Sequence, residues 1–277
     1  MHATLSPGLY IVATPIGNLG DLSPRAAATL AAADVIAVED SRVTAKLLRH
    51  IGVKRPMVAY HDHVNEDVRP ALIARMATEA VALVSDAGTP LISDPGYKLV
   101  RDARAAGVPI VTIPGPSAVI AALTLAGLPT DRFLFIGFLP PKAKARAEAI
   151  EEIASTRASL VFYESGPRLA ATLSTLAEGL GNREAAVARE LSKLYEECVC
   201  GTLSALAERY ADAAPKGEIV IVVAPPLPPQ SATEDDADAA LTEALTRLSV
   251  GRAASEVAQK LHLDRRTLYA RALALRK

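Results

Sequence analysis

At 277 residues the chain has room for two domains, or for one long domain with an appendage. Half of it is hydrophobic, which excludes a disordered or fibrous protein. Thirty Lys and Arg against thirty-one Asp and Glu leave a net charge of −1, so any nucleic-acid contact must use a local patch rather than a global basic excess.

The first residues, Met-His-Ala-Thr-Leu-Ser-Pro, lack the basic and apolar regions of a signal peptide, and the chain reads as cytoplasmic. Residues 9–13 are a short apolar run, followed by a Pro/Gly loop and then Ser23-Pro24, an N-cap with proline at the first helical position. The strand, loop and helix unit then repeats. Residues 35–38 form the next strand, and a helix over 41–50 stops near Gly52. Further strands fit 57–60, 81–85 and 110–113, with amphipathic or alanine-rich helices between and after them. Near-continuous apolar strands separated by helices predict a parallel sheet covered on both faces. The uncharged stretch 105–130 reaches the roughly 20 residues a membrane helix needs. Pro109, Pro114 and Pro116 with Gly107 and Gly115 interrupt it, so no membrane span is expected.

The pattern pauses around Gly127-Leu128-Pro129, and a second series starts with strand 133–139. Its later strands fit 160–163, 185–189, 196–201 and 219–223, with helices near 143–154, 168–178 and 203–210. The short interval within 185–201 predicts an antiparallel hairpin in a mixed sheet. Cys198 and Cys200 lean to one face of a strand and read as packing residues, not as a metal or redox pair. These breaks define domains at 1–127 and 128–224, a proline-rich acidic linker at 225–240, and a tail at 241–277. The tail carries eight Lys and Arg against three Asp and Glu, a net charge of +5. Helical periodicity broken near Leu261-His262-Leu263-Asp264 resembles a helix-turn-helix. It suits either nucleic-acid contact or packing of Leu241, Leu245, Leu248, Val257, Leu261 and Leu268 on the body or a second copy.

Chemistry belongs at the carboxyl ends of the parallel strands. Thr14-Pro15-Ile16-Gly17-Asn18-Leu19-Gly20-Asp21 leaves the first strand without G-x-G-x-x-G spacing, so a pyrophosphate cradle is poorly supported. Val84-Ser85-Asp86-Ala87-Gly88-Thr89-Pro90-Leu91-Ile92-Ser93-Asp94-Pro95-Gly96 is a longer loop whose glycines let backbone approach a ligand. Pro114-Gly115-Pro116-Ser117-Ala118 leaves the next strand and opens a helix. Polar residues gather on the same edge: Glu39, Asp40, Ser41 and Arg42 after the second strand, and His61, Asp62, His63, Asn65 and Glu66 after the third. In the second half, Arg168, Arg189 and Lys193 could pair with phosphates, as could the run Lys142, Lys144 and Arg146.

In this order and spacing, T-P-I-G-N-L-G-D, A-D-V-I-A-V-E-D-S-R, V-S-D-A-G-T-P-L-I-S-D-P-G and P-G-P-S-A resemble the tetrapyrrole methylase superfamily. Within it the chain looks like the group that methylates cytidine 2′-oxygens of 16S rRNA. The resemblance runs from Leu9 to about Ala224, and the tail looks like that group's helical appendage. It implies a two-domain class III methyltransferase fold, with a mostly parallel N-terminal sheet, a mixed C-terminal sheet and a small helical tail. It further implies S-adenosylmethionine in a cleft between the domains, a homodimer, and the small ribosomal subunit as partner.

By this resemblance Pro15, Ile16, Gly17, Gly88, Thr89, Ile92, Ser117 and Ala118 touch the cofactor. Thr89 stands where small-molecule relatives carry Asp, leaving backbone groups or Asp86 to meet the cofactor's charge. Glu164, Ala188, Gly217 and Glu218 complete the pocket. Methyl transfer to a ribose oxygen needs alignment and a base; Asp40 or His61 fits the base, and Lys193 or Arg42 fits the group that steadies the oxygen. The competing readings are a methyltransferase for tetrapyrroles or other small molecules, and a regulator that binds nucleic acid through the tail alone.

Overall fold

The computed structural model describes residues 4–62, 68–227, 234–261 and 263–276. Contacts divide the chain into two units, Met1–Pro225 and Pro226–Lys277. In the first unit, β1 (Gly8–Val12), β2 (Val35–Val38), β3 (Met57–Ala59), β4 (Ala80–Leu83) and β5 (Ile110–Ile113) form a wholly parallel sheet. Their order is β3-β2-β4-β1-β5. Side chains alternate along each strand, so Tyr10, Val12, Ile36 and Val38 meet α1 (Pro24–Ala32) and α2 (Ser41–His50). Leu9, Val35, Ala37 and Leu83 meet α3 (Val68–Arg75) and α4 (Tyr97–Ala105) on the other face. Both faces are covered over the inner strands β2 and β4, which is why these read as unbroken apolar runs. The first helix starts as expected: the Ser23 hydroxyl accepts from the Ala26 amide at 3.1 Å, and Pro24 holds the first helical position.

A mixed sheet follows, built from β6 (Phe133–Phe138), β7 (Ser159–Ser165), β8 (Glu184–Arg189), β9 (Glu197–Thr202) and β10 (Glu218–Val223) in the order β6-β7-β10-β8-β9. Only β6 and β7 pair in parallel, and β8 and β9 form the expected hairpin. One face packs Phe162, Val187 and Ile221 on α6 (Ala143–Ile153), α7 (Leu169–Leu180) and α8 (Leu203–Arg209). The other packs Val161, Ala186, Ala188, Val220 and Val222 on α5 (Ala118–Ala126). The sequence break near 127 therefore falls after a helix that follows the first sheet in the chain but packs on the second. Its sequence, AVIAALTLA, has no polar face to leave in water.

Among its described residues the second unit holds three helices, α9 (Glu234–Leu245), α10 (Val250–Leu261) and α11 (Arg265–Leu275). Leu241, Val250, Ala253, Val257, Leu268 and Ala272 bury against one another, so this segment has its own core. Residues 234–240, expected as the acidic end of a linker, are instead the opening turns of α9. Glu234, Asp235 and Asp236 lie in its first turn, where carboxylates offset the positive end of the helix dipole. Arg271 pairs with Asp238 and Glu234, and Arg247 with Glu256. Among the described residues no helix is long and apolar enough to cross a membrane.

Candidate functional site

At the carboxyl ends of β1, β4 and β5 three loops are tied together. The Thr14 amide donates to the Gly88 carbonyl at 2.8 Å, and the Gly88 amide returns a bond to Thr14 at 3.0 Å. The Thr89 hydroxyl donates to the Pro116 carbonyl at 3.1 Å, joining the second loop to the third. Gly88 has φ +75°, and a Cβ there would stand 3.3 Å from Ile16 Cγ2. At Gly17, with φ +151°, a Cβ would overlap the stem of Lys193. Both positions need glycine, for a backbone angle that other residues rarely adopt and for close approach.

The loops and the second sheet enclose a cavity of about 420 Å³. An adjoining recess of about 340 Å³ shares Ile16, Asp86, Ala87 and Glu218 with it. Of the residues selected from sequence, Ile16, Asp86, Gly88, Thr89, Ile92, Ser117, Ala118, Glu164, Gly217 and Glu218 line the cavity. Pro15, Gly17 and Lys193 line the recess.

The wall is acidic. Asp94 shares it with Glu39, Asp86 and Glu218. Burial, aided by the negative charges of Glu39 and Asp86, pushes the Asp94 carboxyl up to about 6 against the opposing effect of the Ser85 hydroxyl. Its loop contains two non-glycine residues in the left-handed region, Leu91 at φ 76° and Ser93 at φ 63°. Tyr163, whose hydroxyl burial pushes up to about 12, adds an aromatic wall. Phe135 and Phe138 meet its ring edge-on, with centroids 4.9 and 5.5 Å away. Phe138 is 59 % exposed and lines the cavity. A register shift next to Gly137, at φ 77°, precedes it.

Sequence reasoning placed Glu39 on this edge without a role, and did not select Asp94, Phe138 or Tyr163 as site residues. A glycine inside strand β6 was the available signal for Phe138, since such a residue marks a bulge.

Four selected residues sit differently from expectation. Asp40 caps α2: its carboxylate accepts from the Arg42 amide at 2.8 Å and forms an ion pair with the Arg42 guanidinium at 2.6 Å. That guanidinium holds the Asp40 carboxyl down at about 2, too weak a base for a ribose hydroxyl. Arg42 is thereby engaged, on a largely exposed side chain. His61 follows β3 but lines neither cavity nor recess. Its neighbour Asp62 fixes this corner, accepting from the Tyr60 hydroxyl at 2.7 Å and the Gly96 amide at 3.0 Å. Ala188 is wholly buried under α5, because its strand position faces the core. His63, Asn65 and Glu66 lie outside the described residues.

Three of the basic side chains near the cavity, Lys193, Arg189 and Arg168, are also committed, while Lys46 lines the adjoining recess. Lys193 Nζ is 2.9 Å from both Glu190 and Glu218. Arg189 pairs with Glu197, and Arg168 turns inward to the Leu139 carbonyl at 2.7 Å and to Glu164 at 3.3 Å. In the nearby run, Lys144 is 3.8 Å from Glu148 and Arg146 donates to Thr175. Cys198 and Cys200 each direct sulfur at a carbonyl of α5 or its end region, 3.7 Å away, and burial pushes the Cys198 thiol up to about 11.

Residues 8–207 match the family model of tetrapyrrole (corrin/porphyrin) methylases, and 231–276 match that of the RsmI C-terminal HTH domain. A protein of Erythrobacter litoralis named ribosomal RNA small subunit methyltransferase I is 56 % identical over 273 residues, covering 98 % of this chain and 96 % of its own. The protein of that name from Mesorhizobium japonicum is 48 % identical over 275 residues, covering 98 % and 93 %. Among solved structures, diphthine synthase aligns with TM-score 0.61 at 18 % identity over 78 % of this chain and 89 % of its own. Uroporphyrin-III C-methyltransferase of Thermus thermophilus, complexed with S-adenosyl homocysteine, aligns at 0.54 and 22 % over 78 % and 96 %.

Proposed function

Because the chain belongs to the tetrapyrrole (corrin/porphyrin) methylase family, we propose that it is an S-adenosylmethionine-dependent methyltransferase that modifies a cytidine 2′-oxygen in 16S rRNA of the small ribosomal subunit. The observation that carries this reading is the cavity at the joined loops, acidic on one side and aromatic at its exposed edge.

The donor fits the residues present. When bound, S-adenosylmethionine supplies a methyl group on a positively charged sulfur. Gly17 and Gly88 let backbone close on it, and Pro15, Ile16, Thr89, Ile92, Ser117 and Ala118 would hold it beside them. Asp86 and Glu218 complement its positive charge, and Gly217, at φ +98°, lets the backbone of the lining pass against Glu190. Thr89 takes the place of a carboxylate by tying two loops together, so the acidic contribution falls to its neighbours.

Exposed Phe138 offers a face on which an unpaired base can stack, the usual way a protein takes a nucleotide from RNA. Arg252, Lys260, Arg265, Arg266 and Arg276 are exposed on the helical tail and suit phosphate contact. We read the enzyme as cytoplasmic and homodimeric; exposed Val111 on edge strand β5 and Phe133 and Leu134 on edge strand β6 support a second copy.

The test incubates the protein with small subunits from a methyltransferase-deficient strain and labelled donor. Label should appear on the 2′-oxygen of one cytidine. Label on a base, or none, refutes the assignment.

A further inference from the structure

Most carboxylates around the cavity already have work. Glu164 accepts from the Ser165 amide at 2.8 Å and the Thr172 hydroxyl at 2.6 Å, Glu218 pairs with Lys193, and Asp86 accepts from the Asp40 amide at 3.0 Å. Asp94 differs. It shares one loop with Gly88, Thr89 and Ile92, and left-handed Leu91 and Ser93 turn that loop beside it. Glu39 acts on it from the end of β2, Asp86 from the loop after β4, and Tyr163 lies near it on β7.

We propose that Asp94 is the catalytic base of methyl transfer. The idea rests on the 2′-oxygen reading given above. Asp94 takes the ribose hydroxyl proton onto its carboxylate while the oxygen bonds to the methyl carbon; the carbon–sulfur bond breaks with its electron pair remaining on sulfur, leaving a neutral thioether. One negative and one positive charge are thereby cancelled together, a change favoured where water is scarce. Burial and two like-charged neighbours make this carboxylate more basic than an ordinary aspartate, yet it is ionised at neutral pH.

The test uses the full-length protein with small subunits and saturating donor. Single-turnover methylation should rise tenfold per pH unit below about 6 and level off above it. Asp94→Asn should lose that limb and run about 10²–10⁴ slower, while donor affinity from equilibrium dialysis stays near wild type. Asp94→Glu should restore a limb.

A second readout needs no activity. Between the ordinary 3.8 and about 6 the folded carboxyl keeps a proton that the unfolded chain has released, so wild-type stability falls as pH rises through this window. Asp94→Asn should therefore melt higher than wild type at pH 7.5 and match it near pH 4. Unchanged rate and pH profile in Asp94→Asn overturns the proposal, as does a loss of donor affinity that accounts for the slowed rate. Transfer of the limb's control to Glu39, seen as its disappearance in Glu39→Gln alone, also overturns it. Label on a base in the wild type would refute the 2′-oxygen reading, while the melting comparison would still report on Asp94.

Discussion

Glu164 has a place on the cavity wall and a side chain only 1 % exposed. Its replacement by alanine separates a ligand contact from an internal brace. The change strands the Thr172 hydroxyl, on a fully buried residue, without its acceptor, which costs about 1–3 kcal/mol. It also removes the carboxylate facing Arg168, and breaking one side of a buried pair costs about 3–5 kcal/mol. Arg168 keeps its 2.7 Å bond to the Leu139 carbonyl and has a side chain 31 % exposed, so the lower end applies. The two costs share one carboxylate and do not add; the expected loss is about 3 kcal/mol. Thr172→Val should cost about 1 kcal/mol, with the double variant less unstable than the sum. Urea unfolding followed by circular dichroism, with donor dialysis in parallel, gives both quantities. A Glu164→Ala protein with a wild-type unfolding midpoint but no donor affinity would refute the brace and make Glu164 a ligand group.

Gly88→Val places a branched side chain at φ +75° against Ile16, and should weaken donor binding in dialysis more than it lowers the melting temperature. Asp40→Asn keeps a capping side chain and should leave single-turnover methylation within about twofold of wild type, whereas a general base would lose about 10²–10⁴. Removal of 226–277 should leave donor binding intact, weaken subunit binding and flatten its dependence on salt, measured by filter binding. The Cys198 thiol should resist alkylation by iodoacetamide at neutral pH, since its proton is held up to about 11.

Strand 35–38 was legible because burial on both faces left no polar residue to blur it, and it matches β2 at both ends; 110–113 matches β5 although Val111 and Thr112 on that edge strand are exposed, because flanking Pro and Gly bound the apolar run. The helix 41–50 was equally clear, because capping and amphipathic signals coincide. The donor loops were legible as motifs. Polar function was less so, because sequence shows which groups stand near a strand end but not which have partners. Asp40 looked available as a base, yet Arg42 two residues on takes up its carboxylate. Asp94 lies inside the 84–96 loop, but its character comes from burial and from Glu39, distant along the chain, together with Asp86, which only folding turns toward it. Lys193 was found, but its neutralisation by Glu218, twenty-five residues away, was not foreseeable.

The strand order β6-β7-β10-β8-β9 sets a schedule for synthesis. The strand at the centre of the second sheet is the last to be made: β10 pairs with β7 on one side and β8 on the other. Until residue 223 has emerged, β7 and β8 both lack the strand that pairs with them. Each presents an edge of unpaired amides and carbonyls where β10 will go. Such edges join readily to other chains, so a message truncated before β10 should yield an aggregating product rather than a shortened enzyme. The closing strand, EIVIVV, is among the most apolar in the protein, and it enters a slot lined on both sides by hydrogen-bonding backbone.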